Sequence, residues 1–294
     1  MIRGPATCLA GCLLFELALS GTLPGDSISI KFEPVTRDVV QQRLNEFGGD
    51  NARRKQTLKE LLGEAGCDGK SLSEQEIPRS PLPNVICKLP GSSGRTIIVG
   101  AHYDRIGPGD SVVDNWSGAS LLPSLYEALK AEPRTHTYLF IGFGDSVKEL
   151  IGSKFYVHQL SEAQSLRIDA MVDMEGLGLA PTEVWVDQSN KKLAGELAFV
   201  AGVLKLPASW VDIDGVGYSD SGEFATGGIP TVAIHSLTQK AWDEHILHTR
   251  KDRISDIHLD DYYQTYRLVA GYLAYLDYST STREPPEKKT LRNH

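Results

Sequence analysis

Apolar residues along this chain follow two rhythms, and the change from one to the other predicts its architecture. Over residues 34–64 they recur three and four apart, with Val39, Val40, Leu44 and Phe47 on one stripe. That spacing belongs to helices buried along one side. Past the proline-containing stretch 78–83, short continuous apolar runs take over. Residues 84–89 and 96–100 read as strands flanking the turn-forming segment Pro90-Gly91-Ser92-Ser93-Gly94. Further strands are expected at 137–143, 170–174, 183–186 and 231–234. Helical spacing falls between and after them, at 117–130, 153–160, 192–204 and 260–276.

Strands that are apolar on both faces and alternate with helices predict an α/β domain. Its core is a mostly parallel, mixed central sheet flanked by helices on both faces. Ligand sites of such sheets lie beyond the carboxyl ends of the strands. The chemistry-bearing residues stand there in the sequence. His102 and Asp104 follow one strand, Ser146 and Val147 another, and Asp173 and Glu175 end a third.

Composition narrows the partners. With 294 residues, 41% of them hydrophobic and 23% charged, the chain can bury a full core as one unit. A net charge of −8 and the lack of a long basic run argue against nucleic acid. Residues 1–20 are expected to be a signal peptide. Arg3 supplies a positive charge, residues 8–20 are mostly apolar apart from Glu16, and Ala18-Leu19-Ser20 precedes Gly21 as a cleavage site. Leu9-Ala10-Gly11-Cys12 also fits a lipoprotein cleavage box, so lipid anchoring through Cys12 is the alternative to a secreted or periplasmic chain. Nothing downstream suggests a transmembrane span. The domain is then 21–282, and the charged, proline-containing tail 283–294 is expected to be disordered. Cys67 and Cys87 remain as an even pair in an exported chain, which predicts a disulfide over the alternative of two buried thiols.

The stretch Val99-Gly100-Ala101-His102-Tyr103-Asp104 is followed by Val113-Asp114-Asn115-Trp116-Ser117-Gly118-Ala119. Later come Leu150-Ile151-Gly152-Ser153-Lys154-Phe155-Tyr156, Ser219-Asp220-Ser221, Gly228-Ile229-Pro230, and Leu247-His248-Thr249 with Asp252. In this order the motifs resemble the bacterial di-zinc aminopeptidases. That exopeptidase family also includes glutaminyl cyclase, glutamate carboxypeptidase and the non-catalytic transferrin receptor ectodomain. The resemblance covers roughly residues 84–277 and implies a zinc-exopeptidase fold acting on peptide or protein N-termini. It implies that His102 binds a first zinc, with Asp104 orienting an imidazole ligand. Asp114 would bridge two metals, its peptide bond to Asn115 cis, and His248 would bind the second zinc. Another acidic ligand should come from Asp173 or Glu175; the match of the neighbouring Leu177-Gly178-Leu179-Ala180-Pro181 favours Glu175.

The chain departs from the family in Gly144-Asp145-Ser146-Val147-Lys148-Glu149. Active relatives carry two adjacent glutamates there. Without gaps, Ser146 falls on the general base and Val147 on a ligand of the second zinc. A serine hydroxyl stays protonated at neutral pH and cannot take a proton from water unaided. Valine has nothing to give a metal. Asp145 and Glu149 are the neighbouring carboxylates that could substitute. The expectation is therefore a zinc-dependent aminopeptidase homologue with one zinc, severely impaired, or alternatively an inactive pseudopeptidase that binds a peptide or protein. One branch of the family carries an oxyanion-stabilising Tyr where Val216 stands here, with Tyr218 offset from it. His235 is expected to be a core histidine, His245 exposed, and Trp242 either a pocket wall or packing under a loop.

Overall fold

The computed structural model describes residues 31–281 and, as backbone alone, two short antiparallel strands, β1 (Leu17–Leu19) and β2 (Ile28–Ile30). Apart from Leu17–Leu19, the expected leader lies outside the described residues, as do Cys12 and the tail 283–294.

Eight strands form one sheet: β3 (Leu72–Gln75), β4 (Asn84–Leu89), β5 (Thr96–His102), β6 (Thr137–Phe143), β7 (Ile168–Glu175), β8 (Thr182–Val184), β9 (Ala208–Trp210) and β10 (Thr231–His235). Their spatial order is β3-β4-β6-β5-β7-β10-β8-β9. The inner strands β6, β5, β7 and β10 run parallel, and antiparallel pairings begin at β4 and β8. The expected mixed, mostly parallel sheet is what forms. All eight residues of β7 are buried, which is why its sequence shows no polar alternation.

Around the sheet lie α1 (Arg37–Asn45), α2 (Asn51–Glu64), α3 (Ser117–Ala119), α4 (Leu121–Lys130), α5 (Ser146–Glu149), α6 (Ile151–His158), α7 (Glu162–Ser165), α8 (Lys191–Leu204), α9 (Asp220–Thr226), α10 (Gln239–Asp243) and α11 (Leu259–Ser281). Strand pleating divides the core between two faces. On β5, Ile97, Val99 and Ala101 enter the larger cluster with Leu125 of α4, Leu197 of α8 and Leu273 of α11. Ile98 faces the other way, toward Phe143, Tyr156 of α6 and Phe224 of α9. Among the described residues no helix is long and apolar enough to cross a membrane.

Several short elements fall outside the sequence expectation, among them β3, β9 and α9. Their segments, Leu-Ser-Glu-Gln, Ala-Ser-Trp and Asp-Ser-Gly-Glu-Phe-Ala-Thr, are too short or too polar to show a period. The helix expected over 117–130 is divided at Ser120. The helix expected at 153–160 runs Ile151–His158, and the closing helix continues to Ser281.

Cys67 and Cys87 are joined and fully buried, tying the chain after α2 to β4 across 20 positions. Replacing both with alanine should cost about 3 kcal/mol in the chain-entropy picture, read as a lower urea midpoint.

Far from the ligand-bearing strand ends, His136 is buried between two carboxylates. Its Nε2 is 2.9 Å from Asp169 Oδ2 and its Nδ1 3.0 Å from Asp277 Oδ1, joining the starts of β6 and β7 to α11. Burial alone would lower its pKa, but hydrogen bonds to Asp169 and Asp277 outweigh that and raise it. A raised folded-state pKa gives stability that is complete below the unfolded value near 6.5 and is lost as pH rises through the folded value. The urea midpoint should therefore fall as pH rises above about 6.5, and a His136→Gln variant should lack that fall.

Candidate metal centre

β5 ends at His102, whose ring is fixed from behind. Nδ1 lies 3.2 Å from the Asp104 carbonyl and 3.3 Å from its carboxylate. Donating there leaves Nε2 facing Asp114 Oδ1 at 2.9 Å and Glu175 Oε2 at 3.6 Å. Donor atoms of His102, Asp114 and Glu175 all lie within 4.8 Å of one another, with His102 and Glu175 buried and Asp114 nearly so. The other oxygen of Asp114 meets His248 Nε2 at 2.5 Å. Asp114 thus offers one oxygen to each imidazole, and the two imidazoles hold its carboxyl well below the usual range against the opposing effect of burial.

The turn that carries Asp114 is held almost entirely through its backbone. The buried Asp252 carboxylate accepts N–H groups from Val112, Val113 and Asp114 at 2.8, 2.9 and 3.1 Å. The Asp114–Asn115 peptide bond is cis. Asn115 Nδ2 donates to the Met174 carbonyl at 2.7 Å, and its Oδ1 accepts from Gly118 and Gly176. Ser117 Oγ donates to the Val113 carbonyl and accepts from Leu177 N. A Cβ on Gly118 would sit 2.5 Å from the Met174 carbonyl, so only glycine fits there. The polar residues of this motif therefore lock the turn against the end of β7. Sequence reasoning quoted Asp252 but gave it no role.

Ser146 and Val147 open α5, and their N–H groups donate to the two oxygens of Asp104 at 3.1 and 3.2 Å. Ser146 is buried and its hydroxyl donates to Asp220 Oδ1 at 2.6 Å. Val147 lines a cavity of about 180 Å³ together with His102, Asp114, Glu175 and His248. The apolar wall includes Leu150, Trp185, Val216, Leu237, Trp242 and Leu247, with the exposed Tyr218 at the rim. Neither Asp145 nor Glu149 lines this cavity; Glu149 borders a separate, larger groove instead. Trp242 fills both expected roles, as cavity wall and as packing for Ile246 and Leu247.

Of the two acidic alternatives on β7, Glu175 is the one beside His102. Asp173 lies deeper, where its Oδ2 accepts from Ser221 N at 2.9 Å. His245 is exposed. His235 is a core histidine: it stacks on Trp185 at 4.3 Å, and burial pushes its pKa down to about 4. The donor chemistry fits one metal well. His102, Asp114 and Glu175 supply one imidazole and two carboxylates, a three-ligand set of catalytic type. On the far side of Asp114 stands His248, and Val147 lines the same cavity.

A buried histidine–carboxylate centre at the carboxyl ends of a mixed α/β sheet is the arrangement of a metal-dependent exopeptidase. The chain matches the Peptidase family M28 model over residues 84–273 and belongs to that family. It is 26% identical over 156 residues to leupeptin-inactivating enzyme 1 of Streptomyces exfoliatus, which covers 52% of this chain but only 35% of that protein's length. The fold is similar to the LapA aminopeptidase of Legionella pneumophila, with a TM-score of 0.71, 17% identity, and 83% and 72% of the two chains covered. It is also similar to a zinc aminopeptidase of Bacillus subtilis, with a TM-score of 0.60, 24% identity, and 66% and 49% covered.

Asp252→Asn keeps the size of the anchor but removes its charge and one acceptor. It should weaken zinc binding about 10- to 100-fold while the chain still folds, measured by competition with a chromogenic chelator.

Proposed function

We propose that this chain is an exported, zinc-binding M28 aminopeptidase homologue that holds one zinc, receives peptide N-termini in its cavity, and hydrolyses them severely slowly. The observation that carries this reading is the pair at the opening of α5. Ser146 donates a hydrogen bond to Asp220, and Val147 presents its side chain to the cavity. Export rests on the leader-like residues 1–20 and agrees with a Cys67–Cys87 disulfide, which persists in oxidising compartments.

The residues present divide the work as follows. Asp104 keeps the Nδ1 proton of His102 in place and so presents the Nε2 lone pair toward Asp114 and Glu175. Asp114 stays ionised between its two imidazoles. His102, Asp114 and Glu175 would hold zinc, which when bound would supply the Lewis acidity to polarise a carbonyl and acidify water. The apolar wall of Leu150, Trp185, Leu237 and Trp242 suits an apolar N-terminal side chain and excludes water around it. No carboxylate stands at the Ser146 position to accept a proton, and losing a general base costs about 10²- to 10⁴-fold in rate. A second reading, peptide binding with no turnover at all, is favoured by the same Val147 wall.

The test is hydrolysis of a leucine chromogenic amide by the zinc-loaded chain beside the Ser146→Glu/Val147→Glu variant. The parent is expected to be at least about 100-fold slower and to hold one zinc where the variant holds two. Ordinary turnover by the parent with two bound zinc ions would sink the reading.

A further inference from the structure

Beneath the cavity, Asp173, Glu175 and Asp220 bring carboxylate oxygens within 4.8 Å of one another in a buried place. Asp173 and Asp220 are entirely shielded from solvent. Among the described residues, the His102 imidazole stands beside Glu175, and no lysine or arginine forms an ion pair with the three carboxylates. The ordinary hydrogen bonds stop halfway. Asp173 Oδ2 accepts from Ser221 N, and Asp220 Oδ1 accepts from the Ser146 hydroxyl. The remaining oxygens, Asp173 Oδ1 and Asp220 Oδ2, are buried and have no partner.

Buried carboxylates that are neither paired nor hydrogen-bonded carry a desolvation cost of several kcal/mol each. Like charges this close must be neutralised by protons or by a cation. We propose that Asp173, Glu175 and Asp220, with the Ser146 hydroxyl as a fourth oxygen, form a second cation site that takes a hard divalent ion of the Mg²⁺ or Mn²⁺ kind. All its donors are oxygens, which suits hard cations, whereas zinc is drawn to the imidazole of the neighbouring centre. Glu175 stands between the two, facing His102 on one side and the acid pair on the other. The serine that cannot act as a base has a position of its own in this arrangement. Its proton points at Asp220 in the empty cluster, and its lone pairs become the donor once a cation displaces that contact.

The inference rests on the reading of the His102 centre only through the shared Glu175, so the experiment reads the two sites separately. The metal-free chain receives one equivalent of Zn²⁺ and is then titrated with Mn²⁺, followed by loss of the free-ion electron paramagnetic resonance signal. One further equivalent of Mn²⁺ should be taken up. Asp173→Asn and Asp220→Asn should each weaken that uptake by about tenfold or more while the zinc equivalent stays. The retained zinc shows that these variants are folded. His102→Ala should do the reverse, losing zinc and keeping Mn²⁺. Absence of Mn²⁺ uptake in the parent overturns the proposal and leaves protons as the neutralising charge. Uptake undiminished in both Asp variants overturns it as well, by placing the ion elsewhere. Failure of the parent to bind zinc, with Mn²⁺ uptake intact, would count against the proposed function and not against this site.

Discussion

One carboxylate shared by two imidazoles is the constraint around which this molecule is arranged. Asp114 can meet His102 and His248 at once only if three distant stretches of chain converge: the end of β5, the turn before α3, and the loop after α10. Each carries charge or unpaired backbone that would be costly to bury alone. Asp252 answers that cost for the turn by accepting three backbone N–H groups, and Asn115 answers it at the end of β7. The parallel sheet supplies the common edge where these ends meet.

Ser146 and Val147 are accommodated without disturbing that framework. Asp104 holds both residues by their N–H groups, a contact indifferent to side-chain identity. The buried side of the substitution is absorbed locally, since a small hydroxyl reaches Asp220 where a carboxylate would have faced it. The exposed side is absorbed by an apolar cavity wall that a valine simply extends. The architecture and the cluster of His102, Asp114 and Glu175 are thus compatible with a serine and a valine at these two positions.

The inner strands were legible in the sequence because burial on both faces leaves continuous apolar runs, and β6 falls on its expected bounds of Thr137–Phe143, as does its neighbour β4 on Asn84–Leu89. β3 and β9 were not, since four and three residues of mixed polarity take their conformation from the strand beside them. That His102, Asp114, Glu175 and His248 come together could be anticipated from motif order. The anchoring by Asp252 could not, because its partner Val112 is 140 positions away and a backbone donor leaves no mark in the sequence. Asp220 was visible inside Ser219-Asp220-Ser221, but its contact with Ser146 spans 74 positions. Local patterns report periodicity and composition; they carry no record of which loops meet.

The glycines at 107 and 109 have a further consequence. Either one given a Cβ would collide with the backbone of His248 or Thr249, so the two loops lie in direct backbone contact. Asp110 strengthens the seam, its N–H donating to the Asp252 carbonyl at 2.7 Å and its carboxylate accepting from Ile254 N at 3.1 Å. His248 therefore has a side chain that is 53% exposed on a main chain that is already strapped down. An incoming ligand meets a mouth that is open to solvent yet preorganised, with little conformational entropy left to lose on closing around it.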